Sequence, residues 1–192
     1  MLLLLQLLSF SVSKKASRVY FTKQITPEDI TKLYDLLEQP LKGRVGVKIS
    51  TGEKGGNNWL HPELIGDFVH HVDGTIVECN TFYAGQRDSS EKHWKVIEEH
   101  GFLNMSKCDI LDEEDEIEIP VPRYEHMKNF IVGSHIVNYD SYAILSHFKG
   151  HAMGGFGGAL KNMSIGFGSA AGKKWMHTAG VTSDVNAGWD SD

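Results

Sequence analysis

From Arg18 to Gly101, short apolar runs alternate with amphipathic segments three times over, and this alternation restricts the fold more than any other feature. The runs RVYFT (Arg18–Thr22), RVGVKIS (Arg44–Ser50) and TIVEC (Thr75–Cys79) read as strands, too short for helices. Each precedes a helical pattern. In the first, Thr26 is the N-cap, Pro27 takes the first helical position and Asp29 stands three residues after the cap. Ile30, Leu33, Tyr34 and Leu37 then share one face, and Pro40 ends the helix. The second starts at Pro62 and buries Leu64, Ile65, Phe68 and Val69. The third, SSEKHWKVIEEHG, is capped by Ser89 or Ser90 and closed by Gly101. Repeated strand–helix units imply an α/β fold: a largely parallel sheet with helices on its faces. Such sheets bind ligands beyond the carboxyl ends of their strands. Those ends lead here into Ser50–Asn58, Asn80–Asp88 and a later glycine-rich stretch.

Past Lys107 the pattern loosens. CDILDEEDEIEIPVP holds a strand, five consecutive acids (Asp112–Glu116) and an alternating run, which together read as a solvated hairpin with no metal site. NFIVG (Asn129–Gly133) and SYAILS (Ser141–Ser146) are further strands. Trp189 stands almost at the terminus with no closing element after it, a poor place to bury a large aromatic. Residues 17–192 therefore read as one α/β domain that is incomplete at its C-terminus.

Composition excludes several classes of function. A net charge of −6 and a pI near 5.9, with no basic patch interleaved with aromatics, argue against nucleic acid as a partner. No run reaches the roughly 20 apolar residues needed for a membrane span. Cys79 and Cys108 lie in no CxxC or zinc spacing and read as two free buried thiols in a reducing, cytoplasmic compartment, with a single disulfide as the alternative. Residues 1–16 carry an apolar run like the core of a signal peptide but lack the positive charge before it. They read either as a signal, implying secretion, or as a start placed too early.

The stretch HFKGHAMGGFGGALKNMSIGFGS (His147–Ser169) is dense in glycine among histidines and lysines. Ordering such a run costs roughly 0.5–1 kcal/mol per glycine relative to alanine, so the bare backbone is expected to be needed. Gly154, Gly155, Gly157 and Gly158 read as a nest of backbone N–H groups facing an anionic ligand or cofactor. Lys161 reads as an inward cation meeting a phosphate or carboxylate, with His147 and Lys149 lining the same loop. GFGSAA (Gly166–Ala171) fits a dinucleotide fingerprint by coincidence only, and Lys173–Lys174 after Gly172 do not make a phosphate-binding Walker loop. On the earlier loops, Lys48, Glu53 and Asn57, then Glu78, Asn80 and Arg87, can face the crevice. Glu78 sits in an apolar strand where an unpaired carboxylate would be costly, so Arg87 or Lys48 is expected beside it. Glu78 and Arg87 are catalytic candidates, with a structural ion pair as the alternative.

The segments VGVKISTGEKGGNNWLHPELI, GTIVECNTFYAGQRDSSEKH and VGSHIVNYDSYAILSHFKGHAMGGFGGALKNMSIGFGSAAGKKWMHTAG resemble the domain of unknown function 362 family. The resemblance runs from about Arg18 to the C-terminus. Because family members are associated with iron–sulfur clusters, it implies a 4Fe–4S context and an electron-transfer partner, although no cluster ligand is present in this chain. A second resemblance, to nickel-pincer lactate racemases, rests on spacing. His151 precedes AMGGFGG, Lys161 follows ten residues later, and His177 sixteen after that. It implies a catalytic Lys161 bound to cofactor, His177 binding nickel or another metal with His147 nearby, and His151 as proton carrier or metal ligand. This chain departs from that pattern with Gln86 before Arg87, where the racemases have histidine, and with no Asp–x–x–Arg in its STGEK loop. The expected function is thus the ligand-binding portion of a cofactor- or metal-dependent, iron–sulfur-associated protein. The alternative is a non-catalytic scaffold for cluster carriage or assembly.

Overall fold

Helix α1 (Pro27–Leu36) opens as its sequence dictates, with Thr26 Oγ1 accepting the Asp29 N–H at 3.2 Å and Pro27 in the first turn. The computed structural model describes residues 18–152 and 154–188. The N-terminal segment 1–16 and Trp189 lie outside the described residues. Strand β1 (Val45–Lys48) is buried along its whole length, as a strand covered on both faces must be. It pairs in parallel with β2 (Gly74–Glu78) on one side and β6 (Ser141–Ile144) on the other. Strand β3 (Cys108–Ile110) joins outside β2, so the order is β3–β2–β1–β6, all parallel. The α/β fold with a parallel sheet is therefore present.

Between these strands, α2 (Pro62–His71) turns Ile65, Phe68 and Val69 inward, and α3 (Ser90–Glu99) turns His93, Val96 and Ile97 inward. A short α4 (Phe102–Met105) follows Gly101. One core gathers Val45, Val47, Ile49, Ile65, Phe68, Val69, Ile76, Ile97, Phe102 and Ile110. Each such side chain contributes about 1.5–3 kcal/mol on full burial. A smaller cluster of Val77, Cys79, Leu111 and Phe167 covers the opposite face. The hairpin β4 (Glu116–Pro120) and β5 (Asn129–Gly133) pairs antiparallel. A second, short hairpin, β7 (Lys149–His151) with β8 (Gly155–Gly157), precedes α5 (Ala159–Met163) and α6 (Ala170–His177).

Two local expectations need correction. The run Arg18–Thr22 is not a strand: Val19 and Phe21 are 88% and 83% exposed, and the segment pairs with neither sheet edge, β3 nor β6. A strand-like composition forms no strand without a neighbour to bond. The acidic run is also not wholly solvated, because Asp112 accepts the N–H groups of Asn80 (2.9 Å) and Ala170 (3.0 Å) and ties β2 to the start of α6.

Candidate functional site

Strand alternation sends Val47 into the main core and Lys48, the last residue of β1, to the other face, beside Glu78 at the end of β2. Both are almost wholly buried. Lys48 Nζ donates to Glu78 Oε1 at 2.6 Å, to Ile49 O at 2.7 Å and to Asn162 Oδ1 at 2.7 Å, which uses all three of its protons. Glu78 also accepts from the N–H of Thr51 (3.0 Å), the N–H of Cys79 (3.2 Å) and Arg87 Nη1 (3.3 Å). Burial pushes its pKa up, but Lys48 and Arg87 outweigh burial and bring it to about 2. Both sequence-expected partners are present, and the carboxylate is saturated.

The surrounding loops extend this network. Arg87 Nη2 pairs with Glu53, which also accepts from Tyr83 Oη at 3.3 Å. Arg87 Nε has no partner among the described residues. Behind Thr51, His93 bridges Thr51 Oγ1 (2.9 Å) and Asn80 Oδ1 (3.1 Å). Burial drives its pKa down to about 3, so the ring is neutral. Asn162 Nδ2 donates to Lys48 O, Leu145 O and Ser146 Oγ at 3.0–3.2 Å. These bonds pin α5 to the ends of β1 and β6.

A cavity of about 480 Å³ opens beyond these carboxyl ends. His147, Lys149, His151, Lys161 and His177 line it, with Glu53, Glu78, Arg87, Gly157 and Gly158. The elements that supply them are separate: β7 carries His151, α5 carries Lys161 and the last turn of α6 carries His177. Gly154 and Gly155 are not in the lining. Gly154 lies in the turn of the β7–β8 hairpin, its N–H spent on His151 Nδ1 at 3.0 Å, and Gly155 opens β8 opposite His151 with φ +74°. Asn57 is likewise outside the lining, whereas its neighbour Asn58 is part of it and receives His147 Nδ1 on its carbonyl at 3.0 Å.

The charge pattern around this cavity is lopsided. Burial and then the ammonium groups of Lys149, Lys173 and Lys48 depress the Lys161 pKa. Lys161, followed by burial, depresses that of His151. Burial, then Lys161 and His151, depress that of His177. Neither Lys149 nor Lys161 makes a hydrogen bond or ion pair among the described residues. The two carboxylates in the lining, Glu53 and Glu78, are turned to Arg87 and Lys48.

Sequence reasoning missed Lys173, which is buried and reaches Asn80 O (2.7 Å) and Gly168 O (2.5 Å) at the cavity wall. The small residues before it carried the signal. A β-carbon on Gly172 would stand 1.9 Å from Ile131 O, so α6 lies directly on β5, and Lys173 beside it is buried. His93 was also legible, because it continues the Val96–Ile97 face of α3 at helical spacing.

A metal does not fit this donor set. Among the described residues no three His, Cys, Asp or Glu side chains are grouped to hold one, and a divalent ion would join a cluster of cations. Nor does a cluster: Cys79 and Cys108 are free, burial pushes both thiols up to about 12, and clusters normally take four thiolates. No helix among the described residues is long and apolar enough to cross a membrane. A family model described as a domain of unknown function (DUF362) matches residues 45–188. No curated protein and no solved structure matches the chain.

Proposed function

The chain belongs to the DUF362 family, and from that premise we propose that its domain binds a small anionic ligand at the carboxyl edge of the parallel sheet. One observation carries the reading: Lys149 and Lys161 line a cavity whose carboxylates are already committed elsewhere. An anion there gains two ammonium partners at little cost in reorganisation. His151 supports the same assignment. With Nδ1 accepting the Gly154 N–H, its neutral ring carries the proton on Nε2, a donor and not an acceptor. Gly157 and Gly158 keep the wall bare. In this reading Glu78 and Arg87 position the site, holding Lys48, Thr51 and Glu53 in register, and take no proton.

The test is calorimetric titration of the full chain with inorganic phosphate and pyrophosphate at low salt. Saturable binding to one site, weakening as salt rises, is expected. Removing one charge-assisted hydrogen bond, worth about 1.5–3 kcal/mol, should weaken binding roughly tenfold to a hundredfold in Lys161→Gln. Lys54→Gln, which alters an exposed ion pair with Glu99, should change nothing. Failure of both anions to bind the folded protein, or equal affinity in Lys161→Gln, overturns the reading.

A further inference from the structure

We propose that Lys161 is a nucleophilic amine and that the cavity takes a 2-oxo acid, with its carboxylate at Lys149 and its carbonyl carbon joined to Lys161 Nζ as an imine. The proposal rests on the anion-site reading above and gives that ligand a chemical class.

The lysines around this cavity fall into two groups. Lys48 is saturated by three acceptors, Lys173 donates to two backbone carbonyls, and Lys174 donates to Ala187 O at 2.9 Å. Those ammonium groups are structural, each held by oxygen atoms. Lys161 has no such acceptor among the described residues, although it is half-buried. A cation deprived of acceptors and set among other cations loses its proton more readily, which is the condition for a lysine to act as a nucleophile. Its depressed pKa agrees with that setting.

Geometry supplies the second group. A β-carbon on Gly157 would lie 3.7 Å from Lys149 Cγ and 3.7 Å from Lys161 Cδ, so the two lysine stems flank one bare position. A molecule of a few atoms can then reach both nitrogen atoms at once. Lys149 is exposed to water and suits a carboxylate. Lys161 is the better sheltered and suits the carbonyl. Asn162 pins the helix that bears Lys161 to two strand ends, so the amine is presented from a fixed base.

The step balances without an oxidant or reductant. Lys161 ammonium gives a proton to water, and the amine lone pair attacks the carbonyl carbon while the C=O π pair moves to oxygen. An N–H proton passes through water to that oxygen, forming a carbinolamine. The hydroxyl takes up the proton released at the start and leaves as water as the C=N bond forms. The products are a protonated imine and one water molecule.

Pyruvate with sodium borohydride, read by intact mass and peptide mapping, tests the inference on the full chain. One reduced adduct per chain is expected, on Lys161, suppressed by excess inorganic phosphate and absent from Lys161→Arg. Occupancy should fall at least tenfold in Lys149→Gln. Phosphate titration of the same samples separates the two readings. Phosphate binding without trapping, or with trapping no faster than at exposed Lys54 and Lys95, overturns the imine and leaves the anion site standing. Absence of both phosphate binding and trapping overturns both.

Discussion

Lys48 Nζ lies 2.6 Å from Glu78 Oε1 across neighbouring parallel strands, with both side chains out of water. Breaking such a pair strands a charge, at a cost on the order of 3–5 kcal/mol. Lys48→Met is therefore expected to destabilise the fold by about that amount in urea unfolding. A loss under 1 kcal/mol would mean that Arg87 alone suffices for Glu78.

Acid sensitivity should come in two windows. The folded Glu78 pKa of about 2 lies below its ordinary value of 4.5, so its contribution is complete above pH 4.5 and lost as pH falls toward 2. Glu78→Gln should flatten stability against pH in that window, measured by urea midpoints.

His93 supplies the higher window. Its folded pKa of about 3 lies below the ordinary value of 6.5, so the unfolded chain binds the extra proton as pH drops below 6.5. Stability then falls by up to about 1.4 kcal/mol per pH unit from this group. The difference in slope between the natural protein and His93→Gln, from pH 6.5 to 4.5, measures it. Identical slopes would show that the ring is not buried neutral.

Gly172→Ala opposes helix propensity to packing. Alanine is favoured in a helix by about 1 kcal/mol, but the added carbon would stand 1.9 Å from Ile131 O. Packing should win, with a net loss of about 1–3 kcal/mol in chemical denaturation. Gly150→Ala, whose β-carbon meets nothing within 4 Å, should be tolerated.

Anion binding should be visible at the histidines. Lys161 depresses both His151 and His177, so an anion that screens it should raise both pKa values. Proton NMR titration with and without inorganic phosphate reads this directly. Unmoved values for both rings would place the phosphate elsewhere.

By itself the sequence determined the element periods, the parallel sheet and the crevice at the strands' carboxyl ends. It also required a counter-ion for Glu78, because a carboxylate in an apolar strand has a cost whatever the fold. These are properties of single segments. Tertiary structure decided what depends on partners remote in the chain. Lys48 reaches Asn162 across 114 positions, and no local pattern announces that bond. Arg18–Thr22 has strand-like residues and no strand, because pairing needs a free edge in the right place. Asp112 looks like one solvated acid among five until Asn80 and Ala170 bring their N–H groups to it. The spacing of His151, Lys161 and His177 marked residues that share a cavity. That Lys149 and Lys161 flank a bare glycine there, with every nearby carboxylate already paired, follows only from the packing of α5 and the hairpin on the strand ends.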